Sequence, residues 1–251
     1  MEYEIEKASV TMSNALVRSG QMLNLSEKRL VAIGISKLDI KGGVGRYGLG
    51  FEITVHITAE EYAEIAQCDN SVAYRDLKRA TKSLHKQTIE FYTPDHKRKV
   101  KGSMSQPLLI RNIYNWIVAS EYHLKEGWAE ITFNHKIVPH LLGLKREFTT
   151  YKLQQASALR SVYSWRLLEL LTMFEGTGWA HFSLDDFCKT MQATPTQKKN
   201  FANIRRFMIE PAIKELEQKD GWKIDYTTTK AGRKVTGLRF DFERDKQGGL
   251  F

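Results

Sequence analysis

The segment from residue 183 to 242 carries two helix-start signals in close succession, followed by two stretches that alternate between apolar and polar residues. The first signal is an N-cap with an acidic residue at the third helical position, and the second is a threonine cap with a first-turn proline and a capping-box glutamine. The residues are Ser183 with Asp186, and Thr194 with Pro195 and Gln197. The alternating stretches, 222–226 and 235–242, predict strands. Helix, short turn, helix and hairpin in this order predict a winged helix-turn-helix, which inserts its second helix into the DNA major groove.

The second helix of this segment is predicted to have one apolar and one basic face. The apolar face comprises Phe201, Ile204, Phe207 and Met208. The opposite face comprises Lys198, Lys199, Ala202, Arg205 and Arg206. A solvated charged face is the alternative interpretation. The small side chain of Ala202 favours DNA binding, because it lets the helix approach a groove closely while arginines make bidentate contacts to guanine.

Pro211 interrupts this helical pattern. A proline inside a helix removes a hydrogen bond and costs about 3 kcal/mol, so we expect a kink or break near Ile209 to Pro211. The tip between the two predicted strands is basic and fits a wing that touches phosphates or a minor groove. The tip comprises Lys230, Gly232, Arg233 and Lys234.

Composition bounds the class of protein. The 251 residues suffice for one large or two small domains, and lysine plus arginine exceed aspartate plus glutamate by 38 − 29 = 9, which favours a polyanionic partner. Cys68 and Cys188 lie far apart within helical patterns and are predicted to be reduced core residues of a cytosolic protein. The acidic first residues and the lack of an apolar run of about 18 residues predict a soluble protein that is not exported.

The first residues, up to about Leu25, have no clear period and are predicted to form an arm or an edge strand. Ser26 is predicted to cap a helix. The segment 41–50 has glycines in the GxGxxG spacing of a dinucleotide-binding loop. That motif needs a strand before it and a helix after it, whereas here a helix precedes and a strand at 51–57 follows, so we predict a mobile loop.

Two further helices are predicted in the first half. Thr58 with Glu61 forms a capping box, and residues 71–86 form an amphipathic helix with segregated charge. Its apolar stripe comprises Ala73, Leu77, Ala80 and Leu84, and its basic stripe comprises Arg75, Arg79, Lys82 and Lys86. Strands are predicted at 88–92, 108–116 and 128–133, with a basic loop at 96–101.

The pattern that starts at Thr58 and ends in a basic hairpin recurs at Ser183, displaced by 183 − 58 = 125 residues, about half the chain. This internal repeat predicts an α+β fold of two tandem winged-helix domains with pseudo-repeat symmetry. The predicted units are an N-terminal domain (1–137), a linker (138–148) and a C-terminal domain (149–251).

Five separated segments carry a family likeness: LNLSEKRLVAIGISKL, YRDLKRATKSL, PHLLGLKREFTTYKL, FANIRRFMIEPAIKEL and KAGRKVTGLRFDF. In this order, and over nearly the whole chain, they resemble the replication initiator proteins of iteron-bearing, theta-replicating plasmids. The likeness includes Pro211 followed by Ala212.

The resemblance implies that the second domain makes most of the sequence-specific contacts to double-stranded DNA, while the first adds DNA contacts in the monomer and mediates dimerisation. It implies a monomer that binds iterons to start replication and a dimer that binds an inverted repeat and represses the initiator's own gene. A bacterial cytoplasm is implied, with the host initiator, the replicative helicase and chaperones as partners. The implied DNA contacts come from Lys198, Lys199, Ala202, Arg205 and Arg206, from the wing residues Lys230, Arg233 and Lys234, and in the first domain from Arg75, Lys78, Arg79 and Lys82.

Catalytic signals are missing from the sequence. A rolling-circle nickase needs two histidines that flank one apolar residue, whereas the closest pair, His135 and His140, is five residues apart. No GxxxxGK[ST] phosphate loop occurs. We therefore expect no catalytic residue, no metal, no cofactor and no membrane partner. A plain double winged-helix transcriptional repressor shares every DNA-binding feature and is the alternative function.

Overall fold

The structure, a computed structural model, describes residues 5–38, 52–94, 109–142 and 147–245. The elements of the first half are β1 (Ser9–Ser13), α1 (Asn14–Val17), α2 (Leu25–Ser36), β2 (Ile53–Thr58), α3 (Ala59–Ala66), α4 (Asn70–Leu84), β3 (Thr88–Pro94), β4 (Leu109–Asn115), β5 (Ile117–His123), β6 (Trp128–Phe133) and α5 (Val138–Leu141). Those of the second half are β7 (Phe148–Lys152), α6 (Leu153–Ser157), α7 (Val162–Thr172), β8 (Trp179–Ser183), α8 (Leu184–Thr190), α9 (Pro195–Lys198), α10 (Phe201–Ile204), α11 (Glu210–Asp220), β9 (Trp222–Ala231) and β10 (Lys234–Arg244). The glycine-rich segment 41–50 and the basic loop 96–101 lie outside the described residues.

Capping boxes set the starts of two helices in the first half. At α3 the Thr58 hydroxyl accepts the Glu61 N–H at 3.2 Å and the Glu61 carboxylate accepts the Thr58 N–H at 2.9 Å, as predicted. The predicted cap of α2 is wrong, because Asn24 and not Ser26 begins that helix. Asn24 has Glu27 three residues later to complete a capping box, whereas Ser26 has Arg29, which cannot accept a hydrogen bond.

Two sheets of the same topology confirm two tandem winged-helix units. In the first unit the strand order is β2-β6-β5, and in the second it is β8-β10-β9. In each, the strand that precedes the first helix pairs antiparallel with the last strand of the hairpin that follows the helices. The wings are therefore the hairpins β5–β6 and β9–β10, each anchored to its own helical unit.

The first unit also contains a separate hairpin, β3–β4, between α4 and its wing. The internal repeat in the sequence predicted that this hairpin and its basic loop correspond to the second wing, and that prediction is wrong. β3–β4 forms its own two-stranded sheet, whereas β6 pairs with β2. The sequence did not predict β5, because its exposed and buried positions do not alternate regularly.

A fourth sheet, of two strands, joins one half of the chain to the other. β1 pairs antiparallel with β7, from Ser9 opposite Lys152 to Ser13 opposite Phe148. The expected N-terminal arm is thus a short strand followed by a helical turn. Strand β1 of the first half therefore forms its backbone hydrogen bonds with the strand that begins the second half. The domain boundary at 138–148 stays a prediction.

A buried ion cluster also joins the halves. The carboxylate of Glu169 in α7 forms two ion pairs: Oε1 lies 2.6 Å from Lys28 Nζ of α2, and Oε2 lies 2.6 Å from Arg166 Nη1. All three side chains are at most 2% exposed. The Tyr151 hydroxyl donates to the same carboxylate at 2.8 Å. Burial opposes ionisation of Glu169, but the Lys28 and Arg166 charges hold its pKa below the usual value. Burial lowers the pKa of Lys28 to about 8, an effect that Glu169 opposes and Arg166 reinforces.

Arg166 extends this cluster to two backbone segments, 17–19 and the end of α8. Its Nη2 donates to the carbonyls of Val17 and Ser19 at 2.7 and 2.8 Å, and to that of Thr190 at 3.3 Å. The Thr190 hydroxyl in turn donates to the Arg18 carbonyl at 2.8 Å. The chain after α1 is thereby fixed between the two units.

Candidate nucleic-acid interface

The helical region that follows α8 in the second unit is built in two pieces and not as the single helix expected. α9 has the predicted Thr194 cap and capping box, but it ends at Lys198. Asn200 caps a new helix by accepting the Asn203 N–H at 2.9 Å. From Phe201 the chain stays helical through α10, a π-helical turn (Arg205–Ile209) and α11. We call residues 195–209, from the start of α9 to the end of the π-helical turn, the recognition segment.

The expected break at Ile209 to Pro211 is wrong, and a π-helical turn lies just before Pro211 instead. The helix runs past Pro211 without interruption because the turn before it is widened: the Glu210 N–H donates to the Arg205 carbonyl, five residues earlier. A π turn shifts the carbonyls relative to the proline ring, so the missing N–H and the ring need not break the helix. The interruption in the helix lies earlier in the chain, at Lys199 and Asn200.

The predicted basic residues of the recognition segment lie at the surface. All five predicted contacts are exposed, namely Lys198, Lys199, Ala202, Arg205 and Arg206. The opposite side is buried through Ile204, Met208 and Ile209. Arg205 Nε lies 3.4 Å from Glu210 Oε1, with both side chains about half exposed, so solvent screens this pair and an anion can displace it.

One residue of the predicted apolar face points outward. Phe207 is 50% exposed, although the uniform helical period placed it in the core with Ile204 and Met208. The π turn takes up one extra residue, so Ile209 enters the core in its place. The Arg206 guanidinium lies over the Phe207 ring, 5.3 Å from its centroid. The sequence signal for this exposure was Pro211, which favours a widened turn before it.

The second wing carries the other predicted basic residues. β9 and β10 pair up to Ala231 opposite Lys234, which leaves a two-residue turn of Gly232 and Arg233. Gly232 has φ +61°, and a glycine at the first central position suits a type II′ turn. Lys230, Arg233 and Lys234 are exposed around this turn. The wing therefore presents three cations on a hairpin that is longer than the sequence predicted.

In the first unit, α4 separates its charged and apolar residues as predicted. Its apolar stripe is buried, and the predicted DNA-facing residues Arg75, Lys78, Arg79 and Lys82 are exposed. The wing β5–β6 is held beside α4, since the Tyr122 hydroxyl donates to the Tyr74 carbonyl at 3.4 Å. Gly127 at the end of this wing has φ +69°, and a Cβ there would lie 2.0 Å from the Tyr74 ring. Only glycine lets the wing approach the helix this closely.

Neither a candidate metal cluster nor a candidate membrane span occurs within the described residues. No group of three His, Cys, Asp or Glu side chains within them is placed to hold a metal ion. Within the described ranges, no helix is long and apolar enough to span a bilayer. Cys188 is buried and Cys68 half-buried, and both thiols are free.

Two winged-helix units, each with an exposed basic helix beside its wing, define this chain as a double winged-helix DNA-binding protein. Family comparison identifies the group more closely. The family described as "Initiator Replication protein, WH1" matches residues 9–172, and that described as "Initiator Rep protein, WH2" matches residues 183–242. The chain therefore belongs to the family of replication initiator proteins.

Individual proteins agree with this assignment. The chain is 28% identical to the PI protein of Escherichia coli, over 96% of this chain and 84% of that protein. It is 27% identical to a Replication initiation protein of Escherichia coli, over 79% of this chain and 59% of that protein. Among solved structures, the Pi initiator protein in complex with iteron DNA matches with a TM-score of 0.74 at 23% identity, over 96% of this chain and 99% of that one. That structural match supports the same fold.

Proposed function

We propose that this protein starts plasmid replication by binding, as a monomer, to directly repeated iterons at the origin. The observation that carries the proposal is the exposed basic surface of the recognition segment next to a basic wing, in a chain of the initiator family. A major groove is wide enough for a helix, and the flanking wing meets the phosphates. The solved Pi protein, which has the same fold, binds iteron DNA.

The two halves have different proposed roles. The C-terminal domain (149–251) supplies base contacts, and the N-terminal domain (1–137) adds contacts from Arg75, Lys78, Arg79 and Lys82. In a second form the N-terminal domain mediates a dimer that binds an inverted repeat and represses the initiator's gene. The protein itself is proposed to catalyse no reaction. Strand opening then depends on host proteins, namely the host's own initiator and the replicative helicase, with chaperones assisting.

The decisive experiment supplies the protein in trans to a bacterium that carries a marked fragment with the direct repeats found beside its gene. Replication of the fragment is the expected result, and a fragment with scrambled repeats is the control. Repression of the gene's promoter without replication of the fragment would instead identify a plain transcriptional repressor. Nicking of supercoiled origin DNA by the purified chain with Mg²⁺ would refute the absence of catalysis.

The oligomer proposal is tested separately by sedimentation. The chain should sediment as a monomer on a duplex with one iteron and as a dimer on the inverted repeat. One stoichiometry on both duplexes would contradict the switch without affecting the initiator assignment.

A further inference from the structure

Phe207 is an exposed aromatic side chain within the basic recognition segment. It is 50% exposed and does not pack on the apolar core, whereas Phe201 on the same segment does. A single exposed apolar residue is ordinary on a protein surface. The position of this one is unusual, because Arg205 and Arg206 are exposed beside it and the nearby carboxylate of Glu210 is already paired with Arg205.

Arg206 holds the Phe207 ring in a defined place. Its guanidinium lies 5.3 Å from the ring centroid, and a cation over an aromatic face restricts both side chains. The ring and the guanidinium therefore lie on the same side of the recognition segment. A planar guanidinium can still direct its N–H groups to the O6 and N7 of a guanine.

The charge around Phe207 indicates which kind of partner the recognition segment contacts. Lys198, Lys199, Arg205 and Arg206 are exposed on the same segment, and Lys230, Arg233 and Lys234 on the neighbouring wing. Such a surface attracts a polyanion, and major-groove edges present one apolar group, the 5-methyl of thymine, which an aromatic ring can contact.

We infer that Phe207 packs against the 5-methyl group of a thymine beside the base pair that Arg206 contacts. This inference rests on the proposed DNA-binding function and adds a specificity-determining residue to it. Helical periodicity in the sequence does not predict that Phe207 is exposed, because the π turn moves it out of the core.

The test uses the full-length chain and one duplex enriched by it from a random-sequence library. Each thymine of that duplex is replaced in turn by deoxyuridine, which removes only the methyl group. The wild-type chain should lose about fourfold in affinity at one thymine, which corresponds to about 0.8 kcal/mol for one buried methyl-sized group. Phe207→Ala should lose a similar factor on the unmodified duplex and nothing more at that deoxyuridine.

Two variants control the result. Phe207→Leu keeps an apolar side chain and should retain sensitivity to the same methyl group. Trp179→Ala removes another exposed aromatic under an arginine, with Arg239 at 4.6 Å from the ring centroid, but on the sheet of the second unit. It should keep the wild-type deoxyuridine profile.

The inference is overturned if no deoxyuridine weakens wild-type binding, or if the same thymine stays sensitive in Phe207→Ala. In either case Arg206→Ala still tests DNA recognition by the segment. Failure of the chain to enrich any duplex above non-specific binding would refute the proposed function and the inference together.

Discussion

Ala202 lies between Lys198 and Lys199 on one side and the arginines of the π turn on the other, on the exposed side of the recognition segment. Its side chain is a single methyl group, so the backbone can come close to the floor of a groove. The longer cations on either side can then extend to base edges or phosphates without holding the helix away from the DNA. The arginines carry the expected discrimination, because their fixed donor geometry matches guanine.

Arg206→Ala should weaken binding to the enriched duplex by about 1–3 kcal/mol, and Arg205→Ala should act in the same direction, since each removes a base contact. The loss should be larger for the enriched duplex than for a scrambled one, as measured by competition titration. Lys214→Ala, an exposed residue of α11, is the matched control. An unchanged preference for the enriched duplex in both arginine variants would contradict the base-contact assignment.

At the scale of elements, we expect the second wing and the recognition segment to contact different parts of the DNA. The wing ends in a tight turn with Lys230, Arg233 and Lys234, and cations on a hairpin tip are suited to phosphates, which carry no sequence information. The recognition segment carries cations on a surface that fits a groove. The two elements should therefore respond differently to salt.

Lys234→Ala should weaken binding to the enriched and scrambled duplexes by similar factors. It should also reduce the slope of log K against log salt by about 1, because one phosphate contact and its released counterion are lost. Binding measured over a range of NaCl concentrations gives both quantities. If the variant lost preference for the enriched duplex but kept the wild-type slope, the roles of the wing and the recognition segment would be reversed.

Local signals predicted the elements well. The caps at Thr58, Ser183 and Thr194 depend on residues three positions apart, so the sequence alone contains the whole interaction. The two winged-helix units and their basic helices followed from these caps and from the internal repeat. The surface position of the predicted DNA-binding residues followed from helical periodicity, and their contacts with DNA stay predictions.

Features that depend on distant parts of the chain were missed. The π turn arises because Pro211 must be accommodated while Met208, Ile209 and Ala212 all stay buried against the rest of the unit. A uniform helical period does not include this widened turn, and it therefore predicts Phe207 in the core. The hairpin β3–β4 was matched to a wing because strand pairing with β2 or β6 is not visible in one sequence.

At the scale of the whole molecule, the cluster of Lys28, Arg166 and Glu169 connects α2 with α7. Two buried cations share one buried carboxylate, so its single negative charge offsets part of the repulsion between them. Removing it leaves like charges facing each other without water.

Glu169→Gln should therefore lower the free energy of unfolding by about 3–5 kcal/mol, the usual cost of breaking a buried ion pair. Urea unfolding followed by circular dichroism measures the change. Glu243→Gln is the control, because Glu243 and its partner Lys223 are 71% and 79% exposed, and it should leave stability unchanged. Equal stability of Glu169→Gln and the wild type would show that the cluster does not hold the halves together.

Lys28 should also make stability depend on alkaline pH. Burial lowers its pKa to about 8 in the folded chain, against 10.5 when unfolded, so between these values the unfolded chain binds more protons. Its contribution to stability should consequently rise as the pH increases from 8 towards 10.5 and stay constant below 8. The difference in unfolding free energy between wild type and Lys28→Met should show this rise. A similar rise between wild type and the exposed-site variant Lys214→Met would assign it to other groups.

The pairing of β1 with β7 has a consequence for synthesis of the protein. Strand β1 is among the first described segments to leave the ribosome, but its partner emerges only after more than half of the chain has been made. Until then Val10 and Met12, which are fully buried in the finished molecule, lack the strand that helps to cover them. The nascent first half is thus left with an open strand edge until β7 has been made.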